Sequence, residues 1–183
     1  TTNSVMKSLP PLLVNLLVAI FNCSMRECFF PDAWKEAVVI GIPKVGKPLN
    51  IPSSYRPISL LKTMGKTYET VLLTRLKDFT LSRNLIINEQ YGFRAKHSCP
   101  QQVHRITEHV LEGFMHKRPR TTGALFFGVA KAFDKVWHDD LIFKLHKMQM
   151  PDSLVLILRD FLTGRHFRYR VEGTLSSLRP IRA

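Results

Sequence analysis

The stretch that most restricts the fold lies between Thr122 and His138, T-G-A-L-F-F-G-V-A-K-A-F-D-K-V-W-H. Gly123 to Phe127 reads as a short apolar strand, Gly128-Val129-Ala130 as a corner of small residues, and Phe133-Asp134 as the opening of a helix. That helix is expected to run from about Asp134 to Met148. A strand that turns into a helix is a building unit of α/β folds. Such turns carry chemistry because strand carbonyl ends and helix amino ends converge there.

The rest of the chain supplies further helices and strands. Pro11 suits a first helical position, and Leu12, Leu13, Leu16, Leu17, Ile20 and Phe21 repeat with helical period. This predicts a buried amphipathic helix ended by Phe30-Pro31. Asn15 and Asn22 interrupt it, well short of the roughly 20 apolar residues a membrane span needs. The uncharged start, with no clean small-residue cleavage pattern, does not support a signal peptide. Ala37 to Ile42 is a β-branched strand bounded by Pro43. The loop Pro43 to Pro48 lacks the G-x-x-x-x-G-K-[ST] spacing of a phosphate-binding P-loop. Tyr55 to Leu61 leads into a second helix with an inner stripe of Leu61, Met64, Tyr68, Val71, Leu72, Leu76 and Phe79. Val103, Ile106, Val110, Leu111 and Phe114 form another helical stripe, followed by the basic loop His116 to Arg120. Pro151 opens a helix through Leu162 that Gly164 stops; His166 to Glu172 alternates like a strand, Gly173-Thr174 turns, and Leu178 to Ile181 starts a return strand.

Charge narrows the partner. With 27 Lys and Arg against 14 Asp and Glu, the net charge is +13. Such an excess favours a polyanion, nucleic acid ahead of an acidic membrane surface, and is otherwise a solvated basic face. Three cysteines without a CxxC pair and seven histidines without HxxxH spacing argue against structural zinc. They fit reduced thiols in an intracellular compartment, cytoplasm or nucleus.

Three runs in order carry a family resemblance. They are W-K-x-A-x-V-x-x-I-P-K-x-G-K…Y-R-P-I-S-L-L…K-x-x-E from Trp34 to Glu69, Q-Y-G-F-R-A-K-H-S from Gln90 to Ser98, and V-A-K-A-F-D-K-V-W-H from Val129 to His138. Together they resemble the reverse transcriptases of jockey-like non-LTR retrotransposons, with Cys99 standing where that family commonly has Thr. The resemblance implies an α/β (α+β) fold of fingers and an incomplete palm, preceded by a packing helix. The expected divisions are residues 1–30 for that helix, 31–120 for the fingers and 121–183 for the start of the palm. It also implies RNA-directed DNA polymerase activity, with an RNA template, a DNA primer, deoxynucleoside triphosphates and Mg²⁺, and no membrane.

The same resemblance assigns the site. Its strand ends in a metal-binding Asp five residues before the Phe, a position occupied here by Gly128. Only the backbone carbonyl of Val129 would then face a metal, a poor ligand for an ion that wants carboxylate oxygens. The family's glycine-rich and paired-Asp motifs do not occur in the sequence. The chain therefore reads as a partial domain, inactive on its own and without tightly bound Mg²⁺.

Lys44 and Arg56 are the implied triphosphate contacts, an ammonium and a forked guanidinium suited to polyphosphate. Lys44 reads equally as an ordinary loop lysine, whereas Pro57 pins the backbone of Arg56 extended. Phe133 matches the ring that packs under the sugar, and the N–H groups of Lys131 and Ala132 would cradle phosphate. Arg94, Lys96, Lys117, Arg118 and Arg120 are candidates for template and primer phosphates. Asp134 is read as a carboxylate at a helix start, and Asp139 and Asp140 as first-turn acids rather than a metal pair. Two other classes of function stand beside the polymerase: a non-catalytic nucleic-acid-binding module, and an interaction partner of an intact polymerase.

Overall fold

The structure is a computed structural model describing residues 3–118 and 120–181. Arg182 and Ala183, where the sequence reading ends, lie outside the described residues, as does Pro119 in the basic loop. The chain forms two compact units, one of Thr1–Lys77 with Phe133–Ala183 and one of Asp78–Ala132.

The first unit is built on a mixed sheet. β1 (Glu36–Pro43) pairs antiparallel with β2 (Tyr55–Leu61) and parallel with β3 (His166–Val171). The short β4 (Thr174–Leu175) and β5 (Arg179–Pro180) both pair with β3. Helices α1 (Asn3–Lys7), α2 (Pro11–Arg26), α5 (His138–Lys147) and α6 (Asp152–Leu162) belong to this unit, and α3 (Thr63–Ser82) runs on into the second.

Its core is aromatic. Phe21 of α2, Phe30, Tyr68 and Leu72 of α3, and Ile157 of α6 are buried together, with Trp34 and Phe161 packed against them. Phe21 stacks on Tyr68 at 5.0 Å between ring centres, and Phe30 meets Phe161 edge-on at 5.1 Å. Offset and edge-on pairs are the favoured geometries for rings of this kind. The spacing of Tyr68, Val71 and Leu72 turns one face of α3 inward, as the sequence pattern predicts. Ala37 and Val39 bury the corresponding face of β1. Gly164, at φ +65°, follows α6 where the sequence expected a stop.

Several local expectations are corrected. Gly123 to Phe127 is unpaired coil, not a strand, and Phe127 is 85% exposed. A strand needs a neighbour for its N–H and C=O groups, and the described residues of the second unit contain no strand to supply one. Tyr55 to Leu61 is itself a strand, read in the sequence only as an approach to a helix. Pro57 disguised it, and is accommodated because β2 lies at the sheet edge.

The helix expected from Asp134 to Met148 is divided into a 3₁₀ turn at Phe133–Lys135 and α5, with Trp137 extended between them. Asp134 therefore sits in that turn rather than at the start of a long helix. Asp139 and Asp140 do occupy the first turn of α5, and Asp140 pairs with Lys144 at 2.7 Å. α2 forms, but only Phe21 and Ser24 of it are buried, so most of its apolar face is open. It ends at Arg26, before Phe30-Pro31, with Cys28 in a left-handed turn.

The second unit holds α4 (Cys99–Met115), flanked by a loop on each side. Ser98 caps it, accepting from the N–H of Gln101, while Pro100 fits the first turn. Its apolar stripe exists as expected, but none of its residues is buried.

Candidate functional site

Lys44 and Arg56 come together through strand register. Ile42 pairs with Arg56 and Pro43 with Tyr55, and the Lys44 N–H continues the ladder to Ser54 O at 2.8 Å. Directly opposed residues share a face and alternate residues along a strand return to it. Ile42 and Arg56 therefore share a face, and Lys44, one residue past the end of β1, stands diagonal to Arg56 along the continued ladder. An ammonium and a guanidinium on neighbouring strand ends suit a ligand carrying several negative oxygens.

Their present contacts differ. Lys44 Nζ donates to Ser53 O at 2.9 Å and is half-buried. The guanidinium of Arg56 is exposed and meets no side-chain partner among the described residues. One cation is thus held against its own loop while the other is open to solvent.

The remaining triphosphate candidates follow the unpaired segment of the second unit. Lys131 adopts φ +52°, the left-handed conformation that lets successive N–H groups face one way. Ala132 follows in the same turn, and Phe133, where the chain re-enters the first unit, is exposed. Val129 is also exposed. A Cβ placed on Gly128 would meet nothing within 4 Å, so the position has room for a side chain that it lacks.

Mg²⁺ does not fit the donors that are present. At 128 and 129 the chain offers neutral carbonyls and no carboxylate, and hard divalent cations need several oxygen ligands, carboxylates among them. Among the described residues no three His, Cys, Asp or Glu side chains gather as a metal site.

The nucleic-acid candidates divide by how tightly they are held. Arg94 Nη1 donates to Ile87 O at 3.1 Å, which fixes it within its loop. Nearby, Tyr91 meets His97 edge-on at 4.8 Å and Arg105 lies over the Tyr91 ring at 5.1 Å. Lys96, at φ +61°, and Lys117, Arg118 and Arg120 are exposed. The Arg120 N–H is anchored to Gly113 O at 3.0 Å, so the basic loop folds back on the end of α4.

Sequence reasoning missed Tyr55, which lies beside Arg56 in the chain and on the opposite face of the hairpin. Its signal was a glycine, Gly41, within an otherwise β-branched strand, a position where another group often approaches the backbone closely.

Comparison with known proteins gives a consistent result. Residues 42–181 match the family described as reverse transcriptase (RNA-dependent DNA polymerase). The chain is 40% identical over 181 residues to the probable RNA-directed DNA polymerase from transposon BS of Drosophila melanogaster, covering 99% of this chain and 20% of that protein. It is 39% identical over 184 residues to the RNA-directed DNA polymerase from mobile element jockey of the same species, covering 99% and 19%. A third relative, the probable RNA-directed DNA polymerase from transposon X-element, is 34% identical over 175 residues, covering 96% and 19%. The chain spans about a fifth of the length of these curated relatives.

Proposed function

The chain belongs to the reverse transcriptase family, and on that premise we propose that it is the nucleotide-binding part of an RNA-directed DNA polymerase of a jockey-like non-LTR element. In this reading residues 31–120 act as fingers and residues 121–183 begin the palm. Lys44 and Arg56 hold the phosphates of an incoming deoxynucleoside triphosphate. The carrying observation is the β1–β2 register, which the Lys44 N–H continues to Ser54 O, so that Lys44 stands diagonal to Arg56 in the ladder. By the family resemblance, Lys131 and Ala132 would offer backbone N–H groups to phosphate, and Phe133 a ring to the sugar.

Arg94, Lys96, Lys117, Arg118 and Arg120 take the phosphates of an RNA template and a DNA primer through charge. The net charge of +13 supports that assignment. When bound, Mg²⁺ would neutralise the triphosphate and activate the primer hydroxyl. The neutral donor set at Gly128 and Val129 does not hold it. The three free cysteines support a cytoplasmic or nuclear location. Among the described residues no helix is long and apolar enough to cross a membrane.

Binding to inorganic tripolyphosphate tests the reading. Lys44→Ala and Arg56→Ala should each weaken it by roughly tenfold, the scale of one charged hydrogen bond. Their effect on duplex binding should be much smaller. Equal losses for both ligands would make the pair a general basic patch.

A second reading draws on Gly128 itself. With no carboxylate at that position, the chain would serve as a nucleic-acid-binding module without catalysis. Primer extension separates the two: Mg²⁺-dependent incorporation of deoxynucleotides by the 183-residue chain would exclude the second.

A further inference from the structure

We infer that Tyr55 is a positioning residue that keeps Lys44 in place while its ammonium changes partners, an inference resting on the triphosphate reading above. Gly41 and Tyr55 are diagonal neighbours on the face of the β1–β2 ladder opposite Arg56. The Tyr55 ring lies across Gly41, where a Cβ would stand 3.2 Å from Cδ1, tighter than ordinary packing allows. An aromatic ring covering a strand glycine is a known way to fix a sheet edge. Here it also directs the hydroxyl, and Tyr55 Oη donates to Leu49 O at 2.8 Å.

That bond reaches the loop between the two strands. Among the described residues, two side-chain hydrogen bonds hold this loop: Tyr55 Oη to Leu49 O ties it to β2, and Lys44 Nζ to Ser53 O closes it on itself. The two depend on a ligand differently. A phosphate beside Arg56 would draw the Lys44 ammonium from a neutral carbonyl, because an anionic oxygen is the stronger acceptor. The Tyr55 bond lies on the other face and involves no charge, so a bound anion leaves it in place. It holds the loop after Lys44 lets go, and the Lys44 backbone keeps its register with Ser54. The loop is then preorganised for the bound state, and little ordering is left for the ligand to impose.

Tyr55→Phe in the 183-residue chain removes the hydroxyl and leaves the ring. The expected result is faster exchange of the Lys47 and Ser54 amides and weaker tripolyphosphate binding, each by roughly three- to tenfold, the scale of one neutral hydrogen bond. The melting temperature and duplex affinity should hardly move. In a Lys44→Ala background, Tyr55→Phe should cost no further tripolyphosphate affinity, because its effect passes through Lys44. Gly41→Ala keeps the hydroxyl but displaces the ring, and should speed the same amides. Unchanged exchange in Tyr55→Phe overturns the inference. So does unchanged tripolyphosphate affinity in that variant while Lys44→Ala weakens binding. If neither Lys44→Ala nor Arg56→Ala affects tripolyphosphate, the triphosphate reading falls first, and the positioning role falls with it.

Discussion

Lys35 is buried beside Asp160, with Nζ 2.9 Å from Oδ1. The other oxygen of that carboxylate accepts the Phe30 N–H at 2.6 Å, so one side chain of α6 ties together the chain before and at the start of β1. Asp32 also reaches Lys35, at 3.2 Å, from an exposed position.

Asp160→Ala should therefore destabilise the first unit by about 2 kcal/mol in urea unfolding. That lies below the usual cost of breaking a buried pair, because Asp160 is partly exposed and Asp32 remains. Asp32→Ala, by contrast, should change stability by less than about 0.5 kcal/mol, as an exposed partner does. Equal effects from the two would show that the Phe30 bond and the burial of Lys35 carry no weight.

Glu69 gives stability a pH dependence of the less familiar sign. Burial raises its carboxyl above the ordinary 4.5, and nearby Arg165 and Lys66 only partly oppose this. Arg165 stands 3.9 Å away and is itself shifted down, mainly by burial. An acid with a raised folded pKa binds its proton more tightly when folded. Its contribution is full below the unfolded value and is lost as pH rises through the folded one. Stability relative to Glu69→Gln should therefore be better at about pH 4 than at about pH 7. A difference that grows as pH rises between those points would mean that the Arg165 pair outweighs burial.

Gly128→Asp should fold without penalty. Its added atoms enter open space, and Gly128 is not in a left-handed conformation. Replacing a coil glycine usually stabilises by a few tenths of a kcal/mol through the unfolded chain. The new carboxylate should also let Mn²⁺ broaden the amide signals of residues 128 to 130, which the native chain should not show. Equal broadening in both proteins would point to a ligand elsewhere.

Removing Lys117, Arg118 and Arg120 together should lower the dependence of RNA affinity on salt. Each lost phosphate contact reduces the logarithmic slope by roughly 0.7 to 0.9, so the triple alanine variant should lose about two units. The loss should be similar for unrelated sequences, since charge contacts carry no base information. An unchanged slope would remove this loop from the interface.

The sequence by itself determined what depends on neighbours along the chain. The inward face of α3, the strand before Pro43 and the stop at Gly164 follow from local spacing and backbone preference. Lys44 and Arg56 became candidate residues through the family resemblance of the runs that hold them, not through local spacing. Tertiary structure decided whatever depends on a distant partner. Arg56 joins Lys44 only because β2 pairs with β1 in one particular register. Gly123 to Phe127 has strand composition, but the described residues of its unit hold no strand to pair with it, and it stays coil. Nothing in the residues around Lys35 marks it for burial, yet it is buried beside Asp160, 125 residues later in the chain. Local preference is a property of a short segment. Pairing and burial need a second surface, and its position is fixed only when the chain closes on itself.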